Sequence, residues 1–314
     1  MTADDRIPLL IDTDPGVDDA LALLMAFDDP RHRVVGLTVA AGNVGLRHTV
    51  ANALKLCEVA GRGDVPVYAG CASPLLHPAP DAGYVHGNDG FGDVGYTPAA
   101  RTAEPEHAAN AIVRLAREHD GRLLLVALGP LTNLAVALML DPELPRRVGR
   151  LLVMAGAVTG HGNITPAAEF NVYFDPEAAQ RVFAAFPAFD LVDWEATVAH
   201  GLHHPQVELW LQADSPRAAF YRTISEKTRL WSADRRGDHW HSADGLAMAC
   251  ALDPGAATDV VARPLAVEIG HGPARGMTVV DWNRQAGRAD NARIVRGVDQ
   301  AAFEARVRAA LAAG

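Results

Sequence analysis

Ile11-Asp12-Thr13-Asp14-Pro15-Gly16-Val17-Asp18-Asp19-Ala20 is the stretch on which the fold turns. The apolar run from Ile7 to Ile11 before it reads as a buried strand. Residues 17–27 (VDDALALLMAF) after it read as a helix that opens on acids. Pro15-Gly16 makes the sharp turn between them. A buried strand running through a tight turn into a helix is the opening unit of an α/β sheet.

Working outward, the same alternation continues. Strands are expected at 33–41, 65–70, 122–128, 150–155 and 188–193, with later ones at 265–270 and 277–282. Helices are expected at 46–60, 106–118, 131–140, 176–185, 216–230, 244–252 and 299–312. Residues 71–104, rich in Gly, Pro, His and Asp, form a long loop, and a loop of that length points to function. A second polar loop, HGNITPAAEFN, occupies 161–171. The pattern predicts one α/β domain over 1–314, Rossmann-like, with a mostly parallel central sheet flanked by helices. In such sheets ligands bind beyond the carboxyl ends of the strands, so residues just after each strand are the first candidates.

Composition narrows the function. The 314 residues carry 28 Lys+Arg against 38 Asp+Glu, a net charge of −10, so no nucleic-acid partner is expected. The segment 123–140 approaches membrane-span length, but Gly129-Pro130 and Thr132-Asn133 break it into strand, turn and helix, and no membrane partner is expected. MTADDRIPLL has two acids and no long apolar core, so it does not read as a secretory signal. Cys57, Cys71 and Cys250 lie far apart, without metal-knuckle spacing, and a reducing, cytoplasmic setting is expected.

Asp12, Asp14, Asp18 and Asp19 place four carboxylates within eight positions of one strand-to-helix turn. Held together they repel one another, and a divalent cation is the simplest compensation. All-oxygen ligands suit a hard ion such as Ca²⁺ or Mg²⁺. The twelve-residue EF-hand spacing is absent.

The run DTDPGVDDA at 12–20 closely resembles the opening motif of the nucleoside hydrolases, the inosine-uridine preferring family. The likeness continues in AAGNVG at 40–45, VPVYAG at 65–70, VHGNDGFG at 85–92 and ALGPLTNLA at 127–135. It runs on through LLVMAG at 151–156, GNITPAAEFN at 162–171, DPEAA at 175–179 and GMTVVDW at 276–282. The resemblance implies Ca²⁺-dependent cleavage by water of the N-glycosidic bond of purine or pyrimidine ribonucleosides, a salvage reaction giving ribose and free base through an oxocarbenium-like transition state. It implies calcium held by Asp14, Asp19, Asp244 and the main-chain carbonyl of Leu128, with Asp14 as general base and Asp12 behind the cluster. It also implies Asp18 on ribose hydroxyls, and Asn43, Met154, Asn163, Glu169 and Asn171 around the sugar, with Phe170 as a wall. Family members are usually dimers or tetramers, so a homodimer or homotetramer is expected.

The chain departs from the pattern around the base. Many members carry His immediately before the late Asp, where this chain has Ala243. His241 and His86 are the candidates to assist the leaving base. Trp194 (in LVDWEAT), Trp231 and Trp240 flank that region without an assigned role. Two other readings compete. One is a haloacid-dehalogenase-like phosphatase, with Asp12 as nucleophile. The family's downstream basic residue, usually Lys, is missing, because the chain's two lysines, Lys55 and Lys227, do not follow a strand as required. The other is a non-catalytic nucleoside- or ribose-binding protein.

Overall fold

The computed structural model describes residues 5–314. The first four residues, part of the stretch weighed as a signal, lie outside the described residues. In chain order the strands are β1 (Ile7–Thr13), β2 (His32–Val39), β3 (Val67–Ala69), β4 (Leu123–Ala127), β5 (Val148–Met154) and β6 (Phe189–Val192). They continue with β7 (Leu202–His203), β8 (His239–Trp240), β9 (Ala257–Arg263), β10 (Leu265–Val267), β11 (Thr278–Val280) and β12 (Ala292–Val298). An eight-stranded sheet runs in the order β3-β2-β1-β4-β5-β6-β12-β9. Its neighbours are parallel except for the antiparallel pair β12 and β9.

Apolar side chains alternate across this sheet. Leu9 and Ile11 of β1 enter one core cluster and Leu10 enters the other, as the two-residue strand period requires. Both faces are covered, so these strands read as continuous apolar runs. The helix Val17–Phe27 is buried along nearly its whole length and packs against the helix Ala243–Leu252. Burial all round explains why both are apolar on every face.

Strand order reverses between β1 and β4, the crevice where α/β sheets bind ligands. Asp12 and Thr13 end β1 there, and Leu128 follows β4. One side chain ties the strand ends together. Asn133 donates Nδ2 to Asp12 Oδ1 at 2.9 Å, and its Oδ1 accepts from the Cys71 backbone at 2.8 Å.

The structure differs from the sequence reading in several places. The strands expected at 265–270 and 277–282 are the short pair β10 and β11, outside the main sheet. The sheet is completed instead by β12 and β9. Exposed Arg293 and Arg296 interrupt β12, and β9 is half-exposed, so neither has the apolar run of the central strands. The strand expected at 65–70 is confined to Val67–Ala69, because Pro66 has no N–H to give the ladder. Helices Gly83–His86, Phe170–Phe174, Trp194–Ala199 and His204–Trp210 were not foreseen, and the helix expected at 216–230 runs to Arg236. Among the described residues no helix is long and apolar enough to cross a membrane.

Asn133→Leu removes a bond to a buried carboxylate and one to a buried amide together. It is expected to cost about 1–3 kcal/mol, read as a lower urea midpoint with an unchanged slope. An unshifted midpoint would mean that Asn133 does not join these strand ends.

Candidate active site

The acids of the first turn are held by donors that the turn itself supplies. The Asp19 carboxylate reaches back over the helix start. Its Oδ2 accepts from the Gly16 backbone at 2.9 Å, and its Oδ1 accepts from the Thr13 hydroxyl and, at 3.3 Å, from the Asp14 backbone. Asn43, just after β2, donates Nδ2 to Asp19 Oδ2 at 3.0 Å and to the Asp14 carbonyl at 3.2 Å. Its own backbone N–H meets Asp14 Oδ2 at 2.7 Å. Asn43 is therefore a clamp across two acids as well as a lining residue of the cleft.

Asp14 is almost fully buried. A Cβ at Gly42 would collide with its Oδ2, and one at Gly129 with its Oδ1. The carboxylate is thus wedged between two backbones that only glycine lets approach. Asp12 lies behind it, accepting from Thr38 Oγ1 at 2.7 Å and from Asn133; of the four first-turn acids only Asp18 lines the cleft, with Asp12, Asp14 and Asp19 buried beneath it.

Asp244 arrives from the far end of the chain, in the first turn of the helix Ala243–Leu252. Ligand oxygens of Asp18, Asp19 and Asp244 lie within 4.8 Å of one another. The sequence grouped Asp14, Asp19 and Asp244, whereas the tightest trio has Asp18 in place of Asp14. The reason is local: Asp14 Oδ2 is turned onto the Asn43 amide.

Electrostatics follow from this crowding. Burial pushes the Asp244 carboxyl well above the usual range, and the charges of Asp18, Asp19 and Asp14 push it further. Burial, then the Asp19 charge, does the same to Asp14. Burial also raises Asp19, and brings Asp18 to about 6 and Asp12 to about 7. Asp18 Oδ1 is buried with no hydrogen-bond partner. Orphaned carboxylate oxygens in a buried all-oxygen cluster fit a hard divalent cation, which satisfies them and reverses the repulsion.

The remaining candidates ring the same cleft, of about 800 Å³ including its mouth. Met154 ends β5, and Leu128, Asn163, Glu169, Phe170, Asn171 and His86 join it in the wall. Glu169 caps the helix Phe170–Phe174, accepting from the backbones of Asn171 (2.9 Å), Val172 (3.3 Å) and Gly156 (2.8 Å), while burial raises its carboxyl to about 7. Asn171 Nδ2 donates to the Leu128 carbonyl at 2.6 Å and to Met154 O at 3.2 Å, which fixes that carbonyl at the cleft. Asn163 Oδ1 accepts from the Phe170 backbone at 2.8 Å. His86 Nδ1 accepts from the Val17 backbone at 3.2 Å, so a neutral ring carries its proton on Nε2, and burial lowers its pKa to about 4. Burial likewise lowers His241 to about 4, and its Nδ1 is buried without a partner.

The cleft wall also holds residues that the sequence reading missed. Tyr84, Thr228, Ser232 and Arg236 line it beside Trp194, Trp231 and Trp240. Tyr84 and Thr228 carry no local signal. Arg236 ends a helix, where an arginine reads as an ordinary complement to the helix dipole.

Gly42→Ala is expected to cost about 1–3 kcal/mol by overpacking. Much of that cost should vanish in an Asp14→Ala background, measured as a double-mutant cycle by urea unfolding. Strict additivity would mean that Asp14 is not wedged against this backbone.

Residues 9–305 match the family described as inosine-uridine preferring nucleoside hydrolase. The chain is 45% identical over 178 residues to uridine nucleosidase 1 of Arabidopsis thaliana, a match covering 56% of this chain and 53% of that protein. It thus spans about half the length of that relative. It is 33% identical over 278 residues to the inosine-uridine preferring nucleoside hydrolase of Leishmania major, covering 87% of each. A solved plant nucleoside hydrolase, the PpNRh1 enzyme, superposes with a TM-score of 0.92 at 30% identity, covering 98% of this chain and 99% of that one. The acid-lined switch point and the match over nearly the whole chain lead to one assignment: this chain belongs to the inosine-uridine preferring nucleoside hydrolase family.

Proposed function

We propose that residues 1–314 form one nucleoside hydrolase domain that cleaves the N-glycosidic bond of purine or pyrimidine ribonucleosides with water, giving ribose and free base, in a Ca²⁺-dependent reaction. The observation that carries this reading is the meeting of a buried, unsatisfied carboxylate cluster with a wall of Asn, Glu and Met in one cleft. Carboxylates suit a hard cation, and amides with a carboxylate suit a neutral polyol.

Asp14, Asp19, Asp244 and the Leu128 carbonyl would hold calcium, which when bound supplies a seat for water and for vicinal sugar hydroxyls. Asp14 is the general base. In the metal-free protein its burial and its acidic neighbours favour the protonated carboxyl; with calcium bound it returns to the carboxylate that accepts a proton from water. Asp18 takes ribose hydroxyls, and Asn43, Asn163, Glu169 and Asn171 complete the polar ring, with Met154 and Phe170 as its apolar walls. The carboxylates also favour positive charge developing at the anomeric carbon. His86, whose Nδ1 lies 3.9 Å from Asp18 Oδ1, and His241 line the cleft, and the sequence resemblance gives them the role of helping the leaving base. The relatives' names include uridine and inosine, which supports a ribonucleoside substrate and a role in salvage. The three free cysteines support a reducing, cytoplasmic setting, and family habit supports a homodimer or homotetramer.

The phosphatase reading gains no support, because Asp12 Oδ1 is engaged by both Thr38 and Asn133 and neither lysine follows a strand as that family requires. A protein that only binds nucleosides would retain affinity without releasing ribose over hours.

Asp14→Asn is expected to lower kcat by on the order of 10²–10⁴, with the circular dichroism spectrum unchanged, in a reducing-sugar assay on a nucleoside panel. Wild-type turnover in this variant would remove Asp14 as the base. Chelation should abolish ribose release, and calcium should restore it.

A second test reads stability. The folded acids have raised pKa values, so the metal-free protein gains from their protonation at low pH. That gain fades as pH rises from about 4 through about 7. The rise in Tm on adding calcium should therefore grow across this window. A calcium shift that is absent, or flat with pH, would contradict the cluster's proposed role.

A further inference from the structure

Arg236 is an unusual cation for the wall of an acid-lined cleft. It is the last residue of the helix Pro216–Arg236, and Gly237 at φ 77° turns the chain away directly after it. Its guanidinium carbon stands 4.5 Å from the ring centre of Trp194 and 5.0 Å from that of Trp231. Two indoles therefore grip the planar group by cation–π contact. Each indole is itself anchored. Trp194 starts a helix whose first amide donates to the Gly156 carbonyl at 2.9 Å, and Trp231 meets the Tyr84 ring edge-on at 6.2 Å.

The grip leaves the donors unused. Among the described residues, Arg236 has no carboxylate within ion-pair distance and no hydrogen-bond acceptor; its contacts are the two rings and longer-range attraction to Tyr84 and Asp18. This half-buried guanidinium with unpaired N–H groups lines the same cleft as Asp18 and Asp244, and also a neighbouring pocket beside His200 and Glu304, so it is open to an acceptor that the protein does not provide. Other side chains of the cleft offer single neutral donors, such as His86, whose Nδ1 is taken by the Val17 amide, whereas the guanidinium brings a fixed positive charge with several N–H groups.

We propose that Arg236, gripped by Trp194 and Trp231, is the group that stabilises negative charge on the departing base. The proposal rests on the nucleoside hydrolase reading above. As the C1′–N bond breaks, its electron pair goes to the base nitrogen, and water forms the new C1′–O bond while losing a proton. Charge spreads over the base's ring nitrogens and carbonyl oxygens, all of them acceptors. Arg236 donates hydrogen bonds to that charge without giving up a proton, since a guanidinium stays protonated at any working pH. The base then takes its proton from solvent, so the balance is nucleoside plus water to ribose plus base. Arg236 acts as a fixed positive donor set, stronger in the transition state than in the ground state.

The test compares leaving groups. Uridine and inosine carry poor ones, whereas 4-nitrophenyl β-D-ribofuranoside carries one that needs little help. In Arg236→Gln, kcat on uridine and inosine should fall on the order of 10²–10³-fold, with KM little changed, while turnover of the nitrophenyl riboside stays within about fivefold of wild type. Arg236→Lys keeps the charge and should recover part of the lost rate. An equal loss on all three substrates would assign Arg236 to shaping the site and overturn the proposal, as would no loss on the nucleosides. A wild-type protein inert on every substrate would instead overturn the hydrolase reading itself.

Discussion

Carboxylates that cannot escape one another govern the rest of this structure. Asp14, Asp19 and Asp244 are all buried, and Asp18 Oδ1 is buried beside them without a hydrogen-bond partner. Packing like charges out of water costs several kcal/mol per ion, so the fold must either protonate them or give them a counter-charge. Everything around the cluster moderates that cost without removing it. The helix start offers backbone N–H groups to Asp19, and the Asn43 amide meets Asp14. Two glycines let backbone close on Asp14 where a side chain would push it aside. The residual cost is what a bound cation would offset.

The topology explains why these acids meet at all. β1 and β4 flank the point where strand order reverses, so the chain leaves the sheet in opposite directions and opens a crevice. Asp12 and Asp14 occupy the exit of β1, and the Leu128 carbonyl occupies the exit of β4. The helix carrying Asp244 is drawn in by its apolar packing on the helix Val17–Phe27. An apolar contact between two buried helices therefore brings a carboxylate from residue 244 beside one from residue 18. The site depends on the core, and a cavity opened between these helices would separate the ligands.

The sequence made the first turn legible because its signals are local: a strand, a Pro-Gly turn and acids at a helix start. Asp244 was legible only through the family likeness, since a first-turn acid is ordinary by itself. The double role of Glu169 was hidden, because capping the helix Phe170–Phe174 depends on backbone it meets only after folding. β12 was missed because Arg293 and Arg296 break its apolar pattern, although it pairs on both sides within the sheet. Arg236 was missed for a related reason. Its meaning lies in Trp194, which is distant in sequence and reaches it through the packing of a separate helix. Local pattern reports an element's own needs, and a site assembled from many distant segments leaves little local trace.

The cleft is polarised in the sense that the proposed N-glycosidic cleavage requires. Asp18 and Asp244 line it, with Asp19 grouped beside them and Asp14 buried close by. Another part of the cleft wall is aromatic and cationic, with Arg236 between two indoles. Heterolysis of an N-glycosidic bond separates charge in the same sense, leaving the sugar positive and the base negative. A fixed field of that orientation favours the charge-separated state over the neutral substrate, and it needs no rearrangement at the moment of reaction. The acids and the arginine would neutralise one another if they touched. The Trp194 and Trp231 rings prevent this by holding the guanidinium between them, so both ends of the field survive folding.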